Sequence, residues 1–372
     1  MLIGVPSEVK VHEYRVGLVP AGVRELVHHG HQVMVESGAG AGIALFDADY
    51  QAAGAEIVDS ASEIFAKADM VVKVKEPQAS EYQQLSEDQV LFTYLHLAPD
   101  REQTQGLVDS GCTAIAYETV TDAHGRLPLL APMSEVAGRM GAQVAAHCLE
   151  KNQGGKGVLM GGVPGVLPAN VVVLGCGVSG MNAARMAMGM QAKVFAIDNS
   201  LDKLHDIDLN FGRELDTLYS TVDHIEKAVE AADVVIGCVL VPGAAAPKLV
   251  THDMVRKMKP GSVMVDVAID QGGCFETSKP TTHDDPTYVV DDVVHYCVTN
   301  MPGAVARTST FALTNATMRF VLALADKGVK RALAEDPHLM NGLNVHQGQV
   351  TYKAVADNLG YDFVAPQQAL GF

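Results

Sequence analysis

A chain of 372 residues is too long for one ordinary core and long enough for two domains that each bury a sizeable interior. With 48% hydrophobic and 19% charged residues it reads as globular, and no apolar stretch approaches the ~18 uninterrupted residues that a membrane helix needs. A net charge of −17 argues against nucleic acid or an anionic membrane surface as partner, although a local basic pocket can still hold a small anion. Residues 1–8 lack the basic, then apolar, then small-residue pattern of a signal peptide, so the expected location is the cytoplasm. The six cysteines (112, 148, 176, 238, 274 and 297) form no C-x-x-C pair and no disulfide rhythm, and are expected to be reduced, buried, small hydrophobes.

In chain order, apolar runs at 2–5, 32–35, 70–74, 90–94 and 114–117 read as strands, with helical spacing at 21–29 and 60–68 between them. The glycines at 38, 40 and 42 follow a strand-like run, but Ile43 stands where a third dinucleotide-type glycine belongs, so this is expected to be a turn. A long helical pattern at 134–151 connects to a second series, past a glycine-dense hairpin or loop at 154–165. That series has strands at 171–174, 194–198, 233–239 and 262–267. After Met301-Pro302-Gly303 the chain turns helical again, through 310–327 and onward, with no new strand series expected; this tail should pack back on the first domain. The alternation predicts an α/β protein with two Rossmann-like, doubly wound parallel sheets.

The most specific local signal is Val171-Val172-Val173-Leu174-Gly175-Cys176-Gly177-Val178-Ser179-Gly180, a buried-type strand running into G-x-G-x-x-G. Gly175 permits the tight turn, Gly177 lets backbone approach a pyrophosphate, and Gly180 lets the next helix pack on the strand. The pyrophosphate would then lie at a helix N-terminus. Asp198 ends the following strand at the distance where an acid accepts from the adenosine ribose hydroxyls, which suits NAD and repels the extra phosphate of NADP; no arginine stands alongside to receive one. No His/Cys/Asp cluster has metal-ligand spacing.

Further segments carry a resemblance. Glu13-Tyr14-Arg15-Val16, Lys73-Val74-Lys75-Glu76-Pro77, Tyr94-Leu95-His96-Leu97, residues 131–139 and Ile269-Asp270-Gln271-Gly272-Gly273-Cys274-Phe275-Glu276 are similar to the signature segments of bacterial L-alanine dehydrogenases, from end to end of the chain. The resemblance implies NAD-dependent, reversible oxidative deamination of L-alanine to pyruvate and ammonia. It also implies a homo-oligomer, a hexamer, whose protomers have a discontinuous substrate domain (1–130 and 305–372) and an inserted NAD domain (131–304).

The residue types suit that chemistry. Arg15 can fork a substrate carboxylate and Lys75 can add a point charge; alternation along 71–75 puts Lys75 on one face of a strand. His96, closing the run 90–95, is the side chain whose ordinary pKa lies near neutrality. The resemblance makes it the acid/base that moves protons as an iminium is hydrated and ammonia leaves. Asp270 is implied as the second catalytic residue, supplied from the other domain, so that a cleft would close over the substrate. Implied NAD contacts are Gly175, Gly177, Val178, Ser179, Gly180, Asp198, Lys203, Ser220, Val239, Leu240, Val267, Ala268, Ile269 and Asp270, with Ser134, Lys279, Val298, Asn300 and Met301 as further positions. Lys279 stands where relatives carry arginine, keeping charge but losing the fork. Two other readings stay open: an NAD-binding subunit of a proton-translocating transhydrogenase, and an NAD-sensing protein with a dead site.

Overall fold

The computed structural model describes residues 1–239 and 246–372, and the chain divides into two units: Met1–Met133 with Val305–Phe372, and Ser134–Ala304. The first segment carries β1 (Leu2–Val5), β2 (Gln32–Glu36), β3 (Glu56–Val58), β4 (Met70–Val72), β5 (Val90–Thr93) and β6 (Thr113–Ala116). The second unit carries β7 (Asn170–Leu174), β8 (Lys193–Asp198), β9 (Asp216–Tyr219), β10 (Val234–Gly237), β11 (Val263–Asp266), β12 (Thr287–Val290) and β13 (Val293–Tyr296). The last segment adds β14 (Leu343–His346) and β15 (Gln349–Val350).

In the first unit the sheet order is β15-β14-β6-β5-β4-β1-β2-β3. It is parallel from β6 to β3, with β14 and β15 antiparallel at one edge. Those two edge strands correct the expectation of a strand-free tail. They are short, and Asn344 interrupts the apolar pattern; its amide is buried and donates to Thr119 Oγ1 (2.8 Å) and to the Gly342 carbonyl (2.9 Å). The glycines at 38–42 do form a turn, pinned by Asp47, whose carboxylate accepts from the Gly38 N–H (2.8 Å) and the Ser37 hydroxyl (2.7 Å).

In the second unit the order is β12-β13-β11-β10-β7-β8-β9, parallel except for β12. β7 lies inside the sheet between β10 and β8 with both its faces covered: Val171, Val172, Val173 and Leu174 are all buried, and each such side chain contributes ~1.5–3 kcal/mol. The sheet grows toward β8 and β9 on one side and toward β10, β11 and β13 on the other. The β7/β10 junction is therefore a topological switch point, whose carboxyl end forms a crevice. Helix Ala131–Cys148 carries the chain from the first unit into the second, and the glycine-dense stretch closes as a tight turn through the Val163–Val166 bridge. Among the described residues no helix is long and apolar enough to cross a membrane.

Candidate active site and dinucleotide site

In the first unit, Arg15, Lys75 and His96 all lie beyond the carboxyl ends of adjacent strands, β1, β4 and β5. Arg15 is buried; its Nε and Nη2 donate to Glu13 Oε1 and Oε2 (2.6 Å each), and Nη1 to the sulfur of Met133 (3.1 Å). Burial works against the guanidinium charge, but the Glu13 fork outweighs it and raises the Arg15 pKa. Glu13 thus holds the side-on edge of the guanidinium and fixes its plane.

Lys75 departs from expectation in its local structure. β4 ends at Val72, not at 74; beyond it two backbone bonds to the β5 side continue (Lys73 N–H to the Phe92 carbonyl and Tyr94 N–H to the Val74 carbonyl, 3.2 Å each), while the Glu8 carboxylate takes the N–H groups of Val74 (2.7 Å) and Lys75 (3.3 Å). Lys73 is fully enclosed between Glu81 (2.5 Å) and Glu8 (3.4 Å), whereas Lys75 keeps a side chain 20% exposed, 4.0 Å from Glu76. Burial raises the Glu8 pKa, with Lys73 opposing. For Glu76 burial pushes the same way, but Lys75 and Lys10 prevail and hold it low.

His96 lies three residues past β5, exposed, with φ +48°. A left-handed non-glycine backbone is unfavourable, by ~1–2 kcal/mol, and needs support. Glu118, just beyond β6, supplies it by accepting the N–H of His96 (2.7 Å) and of Leu95 (3.2 Å). The imidazole stacks on Tyr94, with centroids 5.8 Å apart and planes at 11°. Tyr94 is itself buried, its hydroxyl donating to the Leu129 carbonyl (2.6 Å); burial pushes its pKa up while Arg15 opposes. Glu8, Glu13, Lys73, Glu81, Tyr94 and Glu118 thus support the site, and none was singled out from sequence as a working residue.

In the second unit the glycine loop meets each demand placed on it. Gly175 has φ +87°, and a Cβ there would lie 3.0 Å from the Cys238 carbonyl oxygen. A Cβ on Gly180 would come within 1.8 Å of the Gly175 oxygen, whereas Gly177 has nothing within 4 Å and stands at the N-terminus of helix Val178–Gly189. The loop is closed where helix meets strand and open where a diphosphate would approach, so these residues fit the dinucleotide. Val178 and Ser179 open the helix. Asp198, buried at the end of β8, accepts from the N–H of Cys176 (2.7 Å) and of Ser200 (2.8 Å), with Lys203 Nζ at 3.4 Å. The Cys176 side chain is accommodated by burial, which pushes its thiol up to about 12.

Ser220 follows β9 and bonds through its N–H to the Asp198 carbonyl (3.0 Å); Val239 follows β10; 267–270 follow β11. Leu240 lies outside the described residues. Asp270 is exposed on the turn Ile269–Gln271. Val298 and Met301 are buried beyond β13, and Asn300 between them has φ +60°. Ser134 lies in the helix Ala131–Cys148. Lys279 is exposed in the loop before β12, with its N–H on the Tyr288 hydroxyl (2.7 Å) and its neighbour Ser278 donating to Asp266 at the end of β11 (2.5 Å).

A two-sheet α/β fold with this loop at a switch point defines a dinucleotide-binding protein. Residues 4–137 match the family model for the alanine dehydrogenase/PNT N-terminal domain and 141–353 that for the C-terminal domain, so the chain belongs to the alanine dehydrogenase/PNT family. It is 60% identical over 371 residues to the alanine dehydrogenase of Halomonas elongata, covering all of both chains. It also superposes on a solved L-alanine dehydrogenase with a TM-score of 0.94 at 52% identity, covering 97% of this chain and 99% of that one. A transhydrogenase from Sinorhizobium meliloti (TM-score 0.82, 24% identity, 95% and 100% coverage) shares the fold.

Proposed function

We propose that the chain is an L-alanine dehydrogenase that interconverts L-alanine with pyruvate and ammonia, uses NAD, and works as a cytoplasmic homohexamer. The observation that carries this reading is the placement of Arg15, Lys75 and His96 on three neighbouring strand ends, each with its backbone or head group held by a buried or half-buried carboxylate. The relatives named above support the activity over the full length of the chain.

A bound nicotinamide dinucleotide supplies the hydride acceptor in one direction and the donor in the other. Arg15 and Lys75 hold the substrate carboxylate and so orient Cα–H; alanine offers one methyl group besides its charges, and most of its binding must come from them. His96 accepts a proton as water adds to the iminium carbon and returns one as ammonia departs. Asp270 is the second catalytic residue, positioning the amine or water and shifting the protonation of His96. Asp198 accepts from the adenosine ribose, the loop 175–180 faces the pyrophosphate, and Ser134, Lys203, Ser220, Val239, Leu240, Val267, Ala268, Ile269, Lys279, Val298, Asn300 and Met301 complete the cofactor contacts.

The test is an absorbance assay of purified protein with each common amino acid and either NAD or NADP. NAD reduction with alanine, far faster than with acidic or bulky amino acids, is the expected result. Absence of alanine-dependent reduction, with dinucleotide still bound, would point instead to a sensing protein.

A further inference from the structure

Asp270 sits in a single turn, Ile269–Gln271, followed by Gly272 and Gly273 with φ +87° and +76°. Two consecutive glycines give the chain wide freedom, so something must hold this loop in one shape. Asp266, buried at the end of β11, gathers its hydrogen-bond donors: the N–H of Ala268 (3.0 Å), the N–H of Cys274 (2.9 Å) and the hydroxyl of Ser278 (2.5 Å). Lys248 gathers its acceptors. The ammonium donates to the carbonyls of Gly272 (2.6 Å), Gly273 (2.9 Å) and Phe275 (3.0 Å). An ammonium has three N–H groups and no acceptor, so these carbonyls use its whole capacity. The segment bearing Lys248 also pairs with the loop, Ala246 N–H to the Gln271 carbonyl (3.0 Å) and Leu249 N–H to that of Cys274 (2.8 Å).

We propose that Lys248 is a positioning residue for the reaction, fixing Asp270 by tying down the carbonyls that follow it, with Asp266 as its counterpart on the N–H side. The inference rests on the catalytic role given to Asp270 above. Lys248 is an exposed residue, yet its ammonium gives its donors to the loop's carbonyls.

The experiment compares the intact protein with Lys248→Met, Lys248→Arg, Asp270→Asn and the double variant Lys248→Met/Asp270→Asn. Because a displacement of about 1 Å can cost ~10²-fold, Lys248→Met is expected to lower kcat by ~10–100-fold and to move the pH profile of kcat, with an unchanged circular dichroism spectrum. Lys248→Arg, which retains charge and donors, is expected to recover most of the loss. In the Asp270→Asn background the effect of Lys248→Met should vanish, since both act through one group. Unchanged kcat and pH profile in Lys248→Met, or a loss equally large without the Asp270 carboxylate, overturns the positioning role. Full turnover by Asp270→Asn overturns the catalytic reading of Asp270 itself, and the positioning role with it.

Discussion

Replacing Asp198 by alanine tests the cofactor assignment, and its magnitude can be worked from the structure. A 2′-phosphate brought within about 4 Å of a carboxylate is repelled by ~1 kcal/mol per unit charge pair in water and by ~4 at an effective dielectric near 20. The Asp198 side chain is 5% exposed, which favours the larger figure, while Lys203 at 3.4 Å offsets part of it. An intermediate value of about 2.8 kcal/mol corresponds to a hundredfold preference for NAD. Lys203 also changes what the variant should do. With the carboxylate gone its ammonium, half exposed, is released to pair with a phosphate, so Asp198→Ala is expected to gain NADP use as well as lose NAD use. NAD affinity should fall in any case, because Asp198 also holds the Cys176 and Ser200 N–H groups that shape the loop. The assay is the ratio of kcat/KM with NAD and NADP at fixed ionic strength, for wild type, Asp198→Ala and Asp198→Ala/Lys203→Ala, the last expected to lose the NADP gain. A wild-type enzyme indifferent to the two cofactors, or a ratio that Asp198→Ala leaves unmoved, refutes the reasoning.

His96→Ala should lower turnover by ~10²–10⁴-fold while NADH binding, followed by fluorescence, stays near wild type; more than half of wild-type turnover across pH would remove His96 from the chemistry. Arg15→Lys should raise the KM for alanine and for pyruvate, and should also lower the urea midpoint, because a lysine cannot replace the two-point contact with the buried Glu13 carboxylate. Lys73→Met strands Glu8 and Glu81 without a buried cation, at a cost of ~3–5 kcal/mol by urea denaturation; a loss under ~1 kcal/mol refutes the ion triad. His295 is buried, bonded to Thr277 and the Val293 carbonyl, and burial lowers its pKa from the ordinary ~6.5. The unfolded chain therefore takes up the proton first, so this contribution is complete above pH ~6.5 and is lost as pH falls toward the depressed folded value. His295→Gln should flatten the fall in stability between pH 7 and 5, and identical slopes in the two proteins contradict the assignment.

The dinucleotide loop was legible in sequence because each glycine answers a different local demand that no other residue meets. Gly175 needs a left-handed backbone, and Gly180 must lie against the Gly175 carbonyl oxygen. The strand series was legible for a similar reason, since β7 is covered on both faces and reads as an unbroken apolar run. Strand ends were not: the run 70–74 is apolar apart from Lys73, yet the regular strand ends at Val72, and beyond it the Val74 N–H goes to an acid 66 residues away. Sequence pattern carries no record of such a partner. A glutamate in a loop defaults to the surface, and only the fold distinguishes Glu8 or Glu118 from a solvated acid.

The supporting carboxylates share one physical task. Where a strand releases its backbone at the carboxyl edge, the freed N–H groups lose their sheet partners and must find others if buried. Glu8 takes those of Val74 and Lys75, Glu118 those of Leu95 and His96, and Asp266 those of Ala268 and Cys274. Water could satisfy such groups equally well in energy but would leave the loops free to move. A carboxylate anchored in the fold, on another element for Glu8 and Glu118 and on the strand end itself for Asp266, satisfies them in one geometry only. Burying these charges costs stability, as the raised pKa values of Glu8 and Asp266 record. What the chain gains is a set of loop ends, each beside a side chain to which the proposed reaction gives a role, held in the one geometry that such chemistry needs.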